Sequence, residues 1–163
     1  MAGMQEVRAF RAGIRMVGDF VYCTSEGTKG GSHGCAIAFN TTIPWAWRGQ
    51  QPCSVGLKDV EILYSDSRLL ICGVDAPGCR CVAAAAYGPW CSTGDVTISA
   101  YWRRTVELVA LHAEGRQVIL TTDSNGTAAL SMEGHIGDIV DSNCTEATEA
   151  FMQGIQEMGY ILK

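Results

Sequence analysis

Nothing in this sequence reads as a membrane-spanning segment, because no apolar run approaches the roughly 20 residues that cross a bilayer as a helix. The opening stretch, MAGMQEVRAFRAG, has no apolar core of the kind a secretory leader needs. A basic excess is missing too. With a formal net charge of −5 there is no global field to attract nucleic acid, so such a partner would be held locally, by arginine and bound metal. No repeat, low-complexity tract or linker-like stretch divides the chain, and no CxxC pair marks a zinc site.

What is there suits one globular domain spanning residues 1–163, with 47% hydrophobic and 18% charged residues and length enough for a sizeable core. A small acidic enzyme and a binder of neutral ligands share that composition. Eight cysteines without an export signal point to free thiols in a reducing compartment, hence to an intracellular protein of the cytoplasm or nucleus. Cys72, Cys79 and Cys81 can be read as zinc ligands or as small buried thiols. The strand pattern around Cys72 favours the second.

Periodicity predicts short strands over Val17–Cys23 and Cys35–Phe39, joined by the glycine-rich turn SEGTKGGSHG, with Lys29 and His33 solvated. TTIPWAWRGQQPCS reads as a polar, aromatic loop broken by Pro44 and Pro52. Its Trp45 and Trp47 either stack on a ligand or pack over a sheet edge, and packing is the simpler expectation. Asp59–Tyr64, Arg68–Val74 and Cys81–Tyr87 form an antiparallel meander, with turns at SDS and DAPG. A helix follows, capped near Ser92 and Asp95, with Ile98, Trp102, Thr105, Val106 and Val109 on one face and Gly115 as its stop. Val118–Thr122 returns as a buried strand. Asn143 and Glu146 open a second helix through Ala147, Phe151, Ile155 and Met158, and YILK begins another strand. Strands followed by helix–strand and helix–strand make an α+β layered domain.

The strand VILTT ends in Asp123, Ser124, Asn125 and Gly126. Side chains alternate along a strand, so Asp123 and Asn125 are expected to project to one side, where a carboxylate and an amide can orient a water and bind a developing oxyanion. The same four residues are also good turn chemistry. Gln5–Glu6 opens the chain, Tyr87-Gly88-Pro89 ends the meander, and HIGD and DSNCTEATEAF follow Asn125.

Taken in order, these stretches resemble the endonuclease/exonuclease/phosphatase superfamily of metal-dependent phosphoesterases, and most of all the endonuclease domains of non-LTR retroelements. The resemblance implies a deoxyribonuclease I-like α/β sandwich. It implies a phosphodiester hydrolase, a nuclease, that uses Mg²⁺ or Mn²⁺. Glu6 would be the metal carboxylate and Asp123 would orient or deprotonate the attacking water, while Asn125 and Tyr87 would donate to phosphate oxygens. Nucleic acid or another phosphoester would be the partner.

The chain departs from that pattern in several places. Thr122 stands where the family has Gly, and Ser124 where it has Phe. The family strand ahead of Gln-Glu and the closing strands with their Asp-His pair are expected to be missing. His33, His112 and His135 do not take the place of that histidine and read as structural or solvated. The expectation is therefore a partial or inactive domain whose exposed sheet edges invite pairing between molecules. The alternative is a non-catalytic remnant that binds nucleic acid or protein. Arg103 and Arg104 read as a solvated helix flank, and Asp141-Ser142-Asn143 as a helix cap.

Overall fold

The computed structural model of the chain describes residues 1–8, 11–28, 33–90, 95–123, 125, 151 and 153. Contacts group these into two compact units, Met1–Tyr87 with Leu111–Thr122, and Gly88–Ala110 with Asp123–Lys163. In chain order the strands are β1 (Ala2–Gln5), β2 (Gly13–Val17), β3 (Phe20–Thr24), β4 (Cys35–Asn40), β5 (Ala46–Arg48), β6 (Gln51–Cys53), β7 (Val60–Ser65), β8 (Leu69–Ala76), β9 (Cys79–Tyr87) and β10 (Gln117–Asp123). A short 3-10 turn, Leu57–Asp59, precedes β7, and the helix α1 (Asp95–Ala113) lies between β9 and β10. The architecture is mixed α+β, dominated by sheets. Among the described residues no helix is long and apolar enough to cross a membrane.

The first unit is built on two four-stranded sheets, ordered β1-β4-β3-β2 and β10-β9-β8-β7, with β5 and β6 as a separate hairpin. Period-two alternation decides what each sheet buries. Val21 and Cys23 of β3 and Cys35, Ile37 and Phe39 of β4 share one core with Val60, Leu70, Cys72, Val74, Ala76, Cys81, Ala83, Ala85 and Tyr87 of the other sheet. Burying a side chain such as Ile37 or Phe39 contributes roughly 1.5–3 kcal/mol. Ala83 and Ala85 supply the small side chains that let these larger ones interdigitate. Leu69, Ile71, Val82, Ala84 and Ala86 are buried as well, so β8 and β9 read as continuous apolar runs rather than as alternating strands.

The meander of β7, β8 and β9 is antiparallel as expected, with Val60 opposite Val74 and Leu69 opposite Ala86. A register shift between Ile62 and Tyr64 interrupts the simple alternation of β7. Asp66 makes the β7–β8 turn: its Oδ1 accepts from the backbone N–H of both Arg68 and Leu69 at 2.8 Å. The turn's second carboxylate oxygen takes the Tyr64 hydroxyl at 2.9 Å.

Two expectations are corrected, and one strand was not anticipated. β1, which includes Gln5 itself, pairs antiparallel with β4, Ala2 opposite Ala38 and Gln5 opposite Cys35. Val17–Cys23 is not one strand. Gly18, at φ +54°, turns the chain between Val17 and Phe20, which face each other as the last pair of a β2–β3 hairpin. An apolar run hides such a turn, because Val and Phe on either side suit a strand equally well. The aromatic loop also contains structure. Pro52 sits opposite Trp47 in the two-stranded β5–β6 ribbon, where an edge position tolerates its missing N–H.

Trp45 packs against the core and donates its indole N–H to Asn40 O at 2.8 Å, whereas Trp47 is 65% exposed. In the second unit Ile98, Trp102, Thr105, Val106 and Val109 are the buried positions of α1, the face that the 3.6-residue period selects. Trp102 meets Phe151 with ring centroids 4.5 Å apart. Phe151 and Gln153 are helical. His135, the rest of the expected second helix with its expected Asn143 cap, and YILK lie outside the described residues.

Candidate functional site

One glycine gathers the polar residues of the first unit. Gly34 has φ +103°, which L side chains rarely adopt, and a Cβ there would collide with the Val7 carbonyl oxygen. Its N–H donates to Ser67 O at 2.7 Å, and its own carbonyl accepts from Val7 N–H at 3.0 Å. Each anchor point of this node adjoins a residue that carries charge or titrates: Glu6 next to Val7, His33 next to Gly34, and Arg68 next to Ser67.

Tyr87, at the end of β9, completes the cluster. Its hydroxyl donates to Glu6 Oε1 at 2.7 Å, joining residues 81 positions apart. A hydrogen bond to a carboxylate at that length is a strong one. The Arg68 guanidinium carbon lies 5.1 Å from the Tyr87 ring centroid, and Arg68 Nη1 donates to Tyr87 O at 3.3 Å. The His33 ring centroid is 5.6 Å from that of Tyr87, and His33 Nε2 is 3.5 Å from Arg68 Nη2. Burial and then the Arg68 charge hold the His33 pKa below its ordinary value, with Glu6 pulling the other way.

The backbone is strained where the side chains converge. Glu6 has φ +55° and His33 φ +65°, both in the left-handed region. Non-glycine residues there cost roughly 1–3 kcal/mol each and persist where surrounding bonds over-determine them. The Val7–Gly34–Ser67 bonds supply that constraint.

Asp123, the last residue of β10, belongs to the second unit. Asn125 has φ +51° and its N–H donates to Asp123 Oδ1 at 3.0 Å. That is an Asx turn, so the pair is held by turn geometry and not by strand alternation as expected. Asn125 Nδ2 donates to Gly88 O at 2.6 Å, and Gly88 N–H donates to Asp123 O at 2.7 Å. Gly88, Asp123 and Asn125 thus form one hydrogen-bonded group.

Of the residues singled out from the sequence, Glu6 is brought to Tyr87, and Asn125 to Asp123 and Gly88. The Tyr87 phenol spends its one hydrogen on Glu6, which makes it the group that orients the carboxylate. His33 was expected to be a solvated turn residue; instead it adjoins Tyr87 and Arg68. Arg68 itself was read only as the start of a strand. The signals for both were slight, a histidine directly before a glycine and an arginine directly after an Asp-Ser turn.

A hard divalent cation accepts a site with one or two carboxylates and completes its shell with water. Glu6 fits that role, since Tyr87 holds one carboxylate oxygen and the other accepts no hydrogen bond among the described residues. Those residues contain no group of three or more His, Cys, Asp or Glu that could enclose an ion. Three of the buried thiols, Cys35, Cys72 and Cys81, are held above the ordinary thiol range and so are poor thiolates at neutral pH, whereas contact with Cys72 lowers Cys23. Burial, aided by the Asp66 charge, pushes the Cys35 thiol up to about 12, and burial beside Cys79 pushes Cys81 up to about 12. Contact with Cys23, together with burial, pushes Cys72 up as well. No family model, curated protein or solved structure matches this chain.

Proposed function

We propose that this chain carries the catalytic residues of a Mg²⁺-dependent phosphodiester hydrolase, a nuclease of deoxyribonuclease I-like architecture. One observation carries the reading: Tyr87 and Glu6 meet at 2.7 Å across 81 positions of sequence. They are the residues that the motif resemblance names as phosphate donor and metal carboxylate. Two facing four-stranded sheets agree with the layered sandwich that the resemblance implies.

In this reading Glu6 holds the cation, and Tyr87 keeps its carboxylate in one orientation. Mg²⁺, when bound, neutralises charge on the phosphoryl oxygens. Asp123 accepts the proton of the attacking water, and its turn with Asn125 fixes where that carboxylate points. An amide nitrogen has two hydrogens, so Asn125 can bond Gly88 O and still donate one to a phosphate oxygen.

A second reading, a non-catalytic phosphoester binder built from the same residues, draws on a different observation. Both the Tyr87 hydroxyl and one Asn125 N–H are engaged within the protein. Cleavage of a supercoiled plasmid and of an abasic-site duplex separates the two. The hydrolase predicts nicking that requires Mg²⁺ and is lost in Glu6→Gln and in Asp123→Ala. Folded protein that binds duplex without cutting it supports the second reading. Folded protein that neither cuts nor binds refutes both.

A further inference from the structure

We propose that Arg68 is a positioning residue of the candidate site: it fixes the Tyr87 phenol and, through that hydroxyl, the orientation of the Glu6 carboxylate. The inference rests on the reading of Glu6 as a metal carboxylate and adds to it a residue that no sequence motif pointed to.

Strand register brings the pair together. β8 and β9 run antiparallel with Leu69 opposite Ala86, and one step beyond that pair Tyr87 N–H donates to Arg68 O at 2.8 Å. Asp66 fixes the same residue from the turn, accepting the Arg68 N–H at 2.8 Å. Arg68 and Tyr87 thus face each other at the end of the ladder, where the side chains of opposed residues interact.

The guanidinium is held at two ends. Its carbon lies 5.1 Å from the Tyr87 ring centroid, Nη1 donates to Tyr87 O at 3.3 Å, and Nη2 is 3.5 Å from His33 Nε2. Arginine has no acceptor, so in the last contact the imidazole accepts, neutral and with its proton on Nδ1. Burial and the Arg68 charge favour the same neutral ring. A rigid planar fork anchored at both ends keeps the phenol ring it covers from turning.

Two effects reach Glu6 from there. The hydroxyl sits at the far end of the ring, so any turn of the ring misaligns its 2.7 Å bond to Glu6 Oε1, and hydrogen bonds weaken steeply with misalignment. A cation against the ring face also draws electron density from the phenol and makes its O–H a stronger donor. Both effects run through the hydroxyl, and both favour one orientation of the carboxylate. The bare charge of Arg68 acts the other way, because it repels a cation at Glu6. Removing Arg68 therefore weakens cation binding if the residue positions Tyr87 and strengthens it if the residue is only a charge.

The test is Mn²⁺ titration calorimetry on wild type, Glu6→Gln, Arg68→Met, Tyr87→Phe and the double variant with both Arg68→Met and Tyr87→Phe. A urea unfolding curve for each establishes that it is folded. Arg68→Met should weaken Mn²⁺ binding by roughly tenfold, the low end of what orienting partners of metal ligands contribute. In the Tyr87→Phe background no hydroxyl is left to position, and the same change should cause no loss. Arg68→Lys keeps the charge and gives up the two-ended grip. It serves if Arg68→Met does not fold, and it too should weaken binding only where the Tyr87 hydroxyl is present.

If the Arg68 variants bind Mn²⁺ as well as wild type or more tightly, Arg68 acts as a charge alone and the inference is overturned. An equal loss with and without the Tyr87 hydroxyl shows a general structural role and overturns it as well. In both cases a wild-type affinity that depends on Glu6 leaves the metal reading standing. Wild type that binds no Mn²⁺, or that binds it no better than Glu6→Gln, refutes the metal reading and this inference with it.

Discussion

Gly34→Ala tests the node on which the first unit's polar cluster depends. The substitution forces a Cβ onto a backbone at φ +103° and drives it into the Val7 carbonyl oxygen. Holding a non-glycine residue in such a region costs roughly 1–3 kcal/mol. Relieving the collision means parting Val7 from Gly34, which forfeits their 3.0 Å hydrogen bond, worth about 0.5–1.5 kcal/mol net. Together the two effects destabilise the chain by about 2–4 kcal/mol. Urea unfolding is the assay. With a slope of about 2 kcal/mol per molar, the midpoint should fall by roughly 1–2 M with the slope unchanged. Gly13→Ala is the control, since a Cβ there meets nothing within 4 Å and no left-handed φ is involved. It should leave the midpoint unmoved or raise it, by stiffening the unfolded chain. A Gly34→Ala midpoint within about 0.5 kcal/mol of wild type, no further off than an ordinary surface change, would refute the reasoning. The backbone would then not be pinned between Val7 and Ser67, and the convergence of Glu6, His33 and Arg68 would lose its cause.

Tyr87→Phe keeps the buried ring and removes the hydroxyl that holds Glu6. Orienting partners of metal ligands are worth roughly 10–100-fold in affinity, so Mn²⁺ titration calorimetry should show a loss of that order, and an unchanged Kd sinks the orienting role. The pKa of His33 is depressed on folding from its ordinary 6.5. The unfolded chain therefore takes up the proton first, and this contribution to stability, complete above 6.5, is lost as pH falls through 6.5 toward the folded value. Urea midpoints should accordingly drop between about pH 7.5 and pH 5, and His33→Asn, which tolerates a left-handed backbone, should shrink the drop; an identical drop in the variant contradicts this. Ala85 is wholly buried between the facing sheets, so Ala85→Leu should overpack them at a cost of about 1–3 kcal/mol, and an unshifted thermal midpoint would show that the sheets do not meet there.

Much of the fold could be read from local pattern, for identifiable reasons. The β7–β8–β9 meander was legible because its turns, Asp66 to Arg68 and Pro77–Gly78, carry residues that do little else well in a strand. The buried face of α1 was legible because Ile98, Trp102 and Val109 repeat at helical spacing. The β2–β3 hairpin was not, since a single Gly-Asp between Val17 and Phe20 hardly interrupts an apolar run. β1 was missed because four residues are too few to show a period, and its place is set by β4, whose partner residues lie 30 to 36 positions away. Long-range pairing of this kind leaves no local mark.

The candidate site divides along the same line. Glu6, Tyr87, Asp123 and Asn125 were singled out because each stands in a short motif whose order along the chain can be compared. His33 and Arg68 belong to no motif, and what joins them to Tyr87 is a glycine bonded to two distant backbone segments. For Asp123 and Asn125 the sequence offered two readings, a turn and a chemical pair, that looked like rivals. The hydrogen bond from Asn125 N–H to Asp123 Oδ1 shows why they are not. A carboxylate that must orient a water needs its own oxygens fixed first, and at the end of a strand an Asx turn is the cheapest local means of fixing them. In the proposed hydrolase the turn is what fixes the Asp123 carboxylate, so turn-forming residues at a strand end do not by themselves count against a site.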